Sequence, residues 1–215
     1  MFFQTHLFHR FQSHRRGWMA ALALSVCLAS PFTAVHAQPE QETPPTIIGA
    51  VDVQVAALYR SYQSVMEQNP IGLVSWDQAD EMLPRGTQTE VIDVETGQRF
   101  SIQRIYGTLH ADSVPLTTED TETLHALYGG TYSWDRRAIL VKIGDRYYAA
   151  SMNGMPHGNG IEGNGYPGHF CIHFTGCFTH GGHRVCPLHQ QKIQDAYQTG
   201  AQWLSLEERL AGLES

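Results

Sequence analysis

Between residues 51 and 84, apolar side chains recur at helical spacing and predict two helices. The apolar face of the first consists of Val51, Val55, Leu58, Tyr59, Tyr62, Val65 and Met66. Asp52 is its predicted N-cap, and the sequence NPIG at 69–72 marks its end. Ser75 and Gln78 have capping-box spacing, so a second, short helix is expected to begin there and to stop at Pro84.

From residue 89 onward, apolar and polar residues alternate and predict strands. TEVIDVETGQRFSIQRIYG holds two alternating runs around the dipeptide at 96–97, which indicates a hairpin. RAILVKIGDRYYAASM has the same form and turns at Gly144 and Asp145. The chain is therefore expected to contain at least two antiparallel strand pairs.

Helices are predicted between and after these hairpins. LTTEDTETLHALYGG has acidic residues in its first turn and ends on Gly129 and Gly130, as a short helix does. A further helix is expected to start near Pro187, and Ser205 with Glu208 caps a last short one. Strand pairs interrupted by helices, without βαβ alternation, predict an α+β domain built on an antiparallel sheet or sandwich with several short flanking helices.

The first 37 residues have the composition of a secretory signal peptide. They contain three arginines and no acidic residue, an apolar run from Trp18 to Phe32, and the small-residue cleavage site AVHA ending at Ala37. A polar, proline-rich linker follows at 38–46. The mature protein is expected to be periplasmic or secreted, with no stable membrane insertion after the signal is removed.

The mature chain is acidic. Removing residues 1–37 leaves 178 residues with 11 basic and 21 acidic side chains, a net charge of −10. A chain with this balance is a poor nucleic-acid binder, so nucleic acid is not an expected partner. The length suits a helical segment at 47–88 followed by one domain at 89–215.

Candidate chemistry is concentrated between residues 157 and 189, which hold six of the eight histidines of the mature chain. Five glycines in GNGIEGNGYPG let the backbone approach a ligand closely. Immediately after, GHFCIH at 168–173 places His169, Cys171 and His173 at alternate positions. An imidazole beside a cysteine makes the thiolate available at neutral pH, where a free thiol with a pKa near ~8.5 is mostly protonated.

The HG at 157–158, the glycine-rich spacer and GHFCIH together resemble the catalytic domain of bacterial L,D-transpeptidases. The stretch EVIDVETGQRFSIQRIYG also resembles the strand pair that opens that domain, and the resemblance extends over about residues 89–200. It implies an L,D-transpeptidase-like domain that acts on peptidoglycan stem peptides by acyl transfer or hydrolysis through a cysteine thioester. No metal and no cofactor are required for that chemistry.

The resemblance assigns roles to individual residues. Cys171 is the implied nucleophile, His157 its base, and His169 the residue that orients the pair. Implied support for the substrate or the oxyanion comes from Gly158, Phe170, His173, Tyr166, Arg137 and Trp134. Because the compartment is oxidising and the nucleophile must stay reduced, the two remaining cysteines, Cys177 and Cys186, are expected to form a disulfide.

Two other functions fit the same residues. On an extended strand, His169, Cys171 and His173 share one face and supply half of a zinc site, which His157, His180 or His183 would complete. Such a protein would be a zinc-dependent cell-wall peptidase or amidase, although the chain contains neither HExxH nor paired CxxC. The third possibility is a non-catalytic module that binds the cell wall.

Overall fold

A computed structural model describes residues 47–214, with side chains from residue 52 onward. The predicted signal peptide at 1–37 and the linker at 38–46 lie outside the described residues. Within the described part, no helix is at once long enough and apolar enough to cross a membrane.

Two helices precede the sheet. Helix α1 spans Ile47–Glu67, so Asp52 lies inside it, and the prediction that Asp52 is its N-cap is wrong. The apolar face of α1 is exposed, as Leu58 at 71% and Tyr59 at 61% show. Helix α2 spans Trp76–Met82. Its predicted capping box is confirmed, because Ser75 Oγ accepts from the Gln78 backbone N–H while the Gln78 side chain accepts from the Ser75 N–H.

Six antiparallel strands form a closed barrel. They are β1 (Gln88–Asp93), β2 (Arg99–Tyr106), β3 (Ala111–Pro115), β4 (Arg137–Ile143), β5 (Arg146–Met152) and β6 (Phe170–His173). Their order is β1-β2-β3-β6-β5-β4, and β4 closes the barrel by pairing with β1. The predicted α+β class with an antiparallel sheet is confirmed, and the sheet closes on itself.

Both predicted hairpins are present. The turn between β1 and β2 contains Gly97 and the turn between β4 and β5 contains Gly144, with φ of 75° and 62°. Glycine adopts this left-handed backbone without the steric cost that a β-carbon would add. Strand β3 was not predicted, although it carries Asp112 of the candidate site and His110 directly precedes it.

Three helices cover the sheet. They are α3 (Thr118–Leu127), α4 (Pro187–Thr199) and α5 (Leu206–Glu214), with a 3₁₀ turn at Gly200–Trp203. Helix α4 starts at Pro187 as predicted, and its buried Ile193 packs with Leu140 of β4 in one apolar cluster. Val91 and Val141 of neighbouring strands belong to a second cluster. Because successive side chains of a strand point to opposite faces of the sheet, they pack into two separate apolar cores.

Candidate active site

Strand β6 places Cys171 in the middle of the sheet. Strand β6 pairs with β3 on one side and with β5 on the other. In the β3–β6 pair, Cys171 lies opposite Asp112. Phe170 and Ile172 are fully buried in the apolar cluster, while Cys171 points to the other face of the strand. The nucleophile predicted from sequence is therefore held by hydrogen-bonded strands on both flanks.

Cys171 and His157 form the predicted pair. Cys171 Sγ lies 3.2 Å from His157 Nε2. His157 Nδ1 lies 2.9 Å from the Met155 carbonyl oxygen, which only accepts hydrogen bonds, so Nδ1 carries the proton. His157 Nε2 is then an unprotonated acceptor facing the thiol, the arrangement that a general base requires.

The backbone around His157 explains the two glycines that flank this loop. His157 and His169 exchange both of their backbone hydrogen bonds, at 3.0 and 2.9 Å. Gly168 has φ of 134°, and a β-carbon there would lie 2.7 Å from the His157 carbonyl oxygen. Gly158, with φ of 58°, lies against the His169 ring, where a β-carbon would be 2.5 Å from Cε1. Both positions need glycine for the histidines to meet.

The Cys171–His157 pair is uncharged at neutral pH. Burial raises the pKa of Cys171 to about 12, and the negative charge of Asp112 adds to this while a hydrogen bond from Asn153 opposes it. Burial also lowers the pKa of His157 below its ordinary value, against the opposing effect of its hydrogen bond to Met155. The resting state is thus a thiol beside a neutral imidazole, and His157 is free to take the thiol proton.

Asp112 on β3 is surrounded by histidines and had no assigned role in the site predicted from the sequence. Its Oδ1 lies 3.2 Å from His110 Nε2, 3.4 Å from His180 Nε2 and 3.7 Å from His169 Nε2. Burial alone would raise the pKa of Asp112, but the neighbouring His110, His169 and His180 outweigh burial and lower it below its ordinary value. His110 and Asp112 are two residues apart in the sequence, which fits two side chains on one face of a strand. Cys171, which lies beside Asp112 in the sheet, is 59 residues further along the chain.

A cavity of about 190 Å³ opens over the Cys171 thiol. Trp134 lines it as predicted, with its ring centroid 5.0 Å from that of His157. Arg136 also lines the cavity. Arg137 does not line it, and its guanidinium instead donates to the Asp93 carboxylate, through Nε at 2.7 Å and Nη2 at 2.9 Å.

The other predicted supporting residues have different surroundings. Tyr166 is 4% exposed and donates from its hydroxyl to the Gly154 carbonyl, and the Phe170 side chain is fully buried, so neither lines the cavity. His173 lines the cavity but stacks between His110 and His189, at centroid distances of 4.5 and 3.8 Å. Burial lowers the pKa of His173 strongly, so it is neutral and does not supply the positive charge expected of it.

All three cysteines of the described residues are free thiols. Cys177 is fully buried and its Sγ accepts from the Phe174 N–H at 3.1 Å. Cys186 is partly exposed and precedes α4, with Sγ 3.9 Å from Arg136 Nη2. The disulfide expected between Cys177 and Cys186 is not formed in this structure and stays a prediction for the oxidised protein.

Two overlapping groups of side chains have metal-ligand spacing. One consists of His110, Asp112, Cys171 and His180, and the other of His157, His169 and His180; within each group the ligand atoms lie within 4.8 Å of one another. The zinc site expected from sequence combined His169, Cys171 and His173 with His157, His180 or His183, and neither His173 nor His183 belongs to these groups. Asp112 supplies a carboxylate to the first group.

Comparison with known proteins places this chain in no family. No protein-family model, no curated protein and no solved structure matches it. The function is therefore argued from the geometry and chemistry of the site.

Proposed function

We propose that this chain is an exported cysteine enzyme of the L,D-transpeptidase type, acting on peptidoglycan stem peptides by acyl transfer or hydrolysis. The observation that carries the proposal is the alignment of Cys171 Sγ, the His157 ring and the Met155 carbonyl at 3.2 and 2.9 Å. A nucleophile, a base and a group that fixes the tautomer of the base are the three parts of an activated thiol.

The first step forms a thioester. His157 Nε2 takes the Cys171 thiol proton while the sulfur attacks a peptide carbonyl carbon, so the carbonyl π electrons move to oxygen. The tetrahedral intermediate collapses with cleavage of the C–N bond, and the imidazolium returns the proton to the departing amine. Because the resting pair is uncharged, thiol deprotonation and attack are coupled, and the site needs no preformed thiolate.

Asn153 is the side-chain donor best placed for the developing oxyanion. It lines the cavity, is 3% exposed, and hydrogen-bonds to Cys171. Its Oδ1 accepts from the Met155 N–H at 3.3 Å, which turns the amide nitrogen away from Met155. Amide donors fixed in this way stabilise the charge on a tetrahedral intermediate without reorganising.

The second step releases the acyl group. An amine of a second stem peptide, or water, attacks the thioester carbonyl, and His157 accepts the proton of the attacking group. The C–S bond then breaks, and the sulfur recovers a proton from His157 as it leaves. An amine acceptor gives a cross-link and water gives a trimmed peptide, so the acceptor decides between transferase and peptidase activity.

Arg136 and Trp134 are proposed to hold the substrate. Arg136 lines the same cavity as Cys171, and its Nη1 donates to the Trp134 carbonyl oxygen at 2.8 Å, which restrains the guanidinium there. Its Nε is buried without a hydrogen-bond partner. Stem peptides carry carboxylates, and a guanidinium binds a carboxylate through paired hydrogen bonds.

The test uses the mature chain, a carbapenem that acylates thiols, and purified stem peptides. The wild type and Cys186→Ala, a matched control for a thiol outside the pair, are expected to gain the carbapenem mass and to convert the peptides. Cys171→Ala is expected to do neither, and His157→Ala to slow acylation by about 10²- to 10⁴-fold. Acylation or turnover by Cys171→Ala refutes the proposal, and stem-peptide binding without turnover by the wild type supports a cell-wall-binding module instead.

A further inference from the structure

We infer that His110, Asp112, His180 and Cys171 form a binding site for a divalent zinc-type cation, and that the bound ion masks the Cys171 thiol. The masking part rests on the proposed function, in which the thiol is the nucleophile. The metal site itself rests only on the geometry and charge of the four side chains.

The ligand atoms have the spacing of a tetrahedral zinc shell. His110 Nε2 and His180 Nε2 are 3.0 Å apart, and Asp112 Oδ1 lies 3.2 Å from the first and 3.4 Å from the second. With Zn–N and Zn–O bonds of about 2.0–2.1 Å, ligand atoms at tetrahedral corners are about 3.3–3.4 Å apart. Cys171 Sγ lies within 4.8 Å of all three and completes the shell.

The tautomer of His110 turns the lone pair of its Nε2 toward other electron-rich atoms. His110 Nδ1 is 2.7 Å from the Phe178 carbonyl oxygen, so Nδ1 carries the proton and the Nε2 of a neutral ring is a lone pair. That lone pair faces both His180 Nε2 and the Asp112 carboxylate. A hydrogen on His180 Nε2 or on His110 Nε2 can be shared between these atoms, and a metal ion can be bound by all of them at once.

His169 also turns the lone pair of its Nε2 toward Asp112. Its Nδ1 lies 2.8 Å from the Asn159 carbonyl oxygen, so its Nε2 is also a lone pair in the neutral ring. His169 Nε2 and Asp112 Oδ1 are both buried without a hydrogen-bond partner, and the two residues are each 6% exposed. Buried polar atoms are rarely unpartnered, and several that converge indicate a missing ion. His169 is not one of the four ligands, so the unpartnered atom that the cation satisfies here is Asp112 Oδ1.

The kind of ligand favours zinc over calcium or magnesium. Two imidazole nitrogens, one carboxylate and one thiolate suit zinc, whereas calcium and magnesium take oxygen ligands. A dication, a carboxylate and a thiolate sum to zero charge, which a buried site requires. The His110 hydrogen bond to Phe178 is also the outer contact that usually orients a zinc-bound histidine.

Access to the site is through His180. The other three ligand residues are 1–6% exposed, whereas the His180 side chain is 50% exposed. His180 lies on the loop between β6 and α4, so it closes the shell from the solvent side. Metal loading and release therefore need movement of this one ligand only.

Zinc binding would block the proposed chemistry. The thiol loses its proton to solvent as the Zn–S bond forms, and the sulfur lone pair that attacks the substrate is then shared with the metal. Four protein ligands leave no open position for a catalytic water, as in zinc sites that are not catalytic. The bound ion thus acts as a reversible inhibitor of the enzyme.

The binding arm uses Co²⁺ as a spectroscopic probe of the metal-free mature protein. A thiolate-to-cobalt charge-transfer band and intense tetrahedral d–d bands are expected on titration, and Zn²⁺ is expected to displace them. His180→Ala is expected to lose tight binding, whereas His183→Ala, an exposed histidine on the same loop, is expected to retain it. Absence of the thiolate band in the wild type, or its persistence in Cys171→Ala, overturns the site.

The masking arm measures the rate at which iodoacetamide alkylates Cys171. Saturating Zn²⁺ is expected to slow alkylation of the wild type and of His183→Ala by at least about tenfold, with recovery on adding a chelator. His180→Ala is expected to react at the same rate with and without Zn²⁺. An unchanged wild-type rate, or peptide hydrolysis that appears only with Zn²⁺, overturns masking; the second result favours a zinc hydrolase.

His157→Ala separates this inference from the proposed function. His157 is outside the four-ligand group, so this variant is expected to bind Co²⁺ like the wild type while it loses acylation by the carbapenem. If wild-type Cys171 binds Co²⁺ but is never acylated, the proposed function fails and the metal site stands. If wild-type Cys171 is acylated but binds no Co²⁺, the metal site fails and the proposed function stands.

Discussion

Acid is expected to unfold this protein through His189, which the fold buries in a neutral state. His189 is on the first turn of α4, is 2% exposed, and stacks on His173 with ring centroids 3.8 Å apart. Its Nδ1 is 2.9 Å from Ser151 Oγ. Burial, together with the positive charge of Arg136, lowers the pKa of His189 from 6.5 to about 3.

The size of the effect follows from that pKa. A drop from 6.5 to about 3 corresponds to a free energy on the order of 5 kcal/mol. The unfolded chain binds the proton more readily than the native state, so this contribution is fully present above pH 6.5 and is lost as the pH falls from there toward about 3. The lowered pKa of His173 acts with the same sign.

The perturbation is His189→Phe, which keeps an aromatic ring against His173 but cannot be protonated. Urea unfolding in the presence of a chelator, at several values from about pH 7 to about pH 4, gives the free energy of unfolding of wild type and variant. Over this pH range, the free energy of unfolding is expected to fall with decreasing pH more steeply for the wild type than for the variant, by up to about 1.4 kcal/mol per pH unit. Near neutrality the variant is less stable by about 1 kcal/mol, because Ser151 loses a hydrogen bond.

An exposed histidine provides the control. His183→Phe is expected to leave the pH dependence of the wild type unchanged, because His183 is exposed on the loop between β6 and α4. Parallel pH profiles for the wild type and His189→Phe would refute the reasoning, since they would mean that His189 is protonated equally in the native and unfolded chains.

Three further outcomes are expected. Gly168→Ala should slow thiol acylation by roughly tenfold or more, because a β-carbon there strikes the His157 carbonyl and displaces the base; peptide turnover and carbapenem labelling both report it. Asn164→Ala should lower the free energy of unfolding by about 2 kcal/mol in urea titrations, because its buried amide donates to a carbonyl at 2.7 Å and its oxygen accepts a backbone N–H. Protein exported to an oxidising compartment should titrate as one thiol when denatured without reductant if Cys177 and Cys186 are joined, and as three if they are not.

Local signals in the sequence were sufficient for the starts of α2 and α4 and for both hairpins, but not for the start of α1. The Ser75 capping box and the turn at Gly144 involve residues within a few positions of each other, so neighbours alone determine them. The pairing of Cys171 with His157 was also predicted, from the motif that surrounds both residues.

Features that depend on distant pairing were not accessible. All five residues of β3 are buried, so this strand has no alternating pattern, and Asp112 meets Cys171 only through the β3–β6 register. Arg136 and Arg137 are adjacent, and the sequence cannot say which of them faces the cavity. A shift of one residue in strand register exchanges the two faces, and that register is set by the partner strands.

Closure of the barrel limits how a peptide is recognised. Each of the six strands between residues 88 and 173 has a neighbour on both sides, including β6, which carries Cys171. A bound peptide therefore cannot extend this sheet as an added strand, the mode by which many proteins hold extended chains through their main-chain groups. Affinity must come from side chains and loops around the cavity, so selection among peptides depends on their charged ends and side chains more than on an extended backbone.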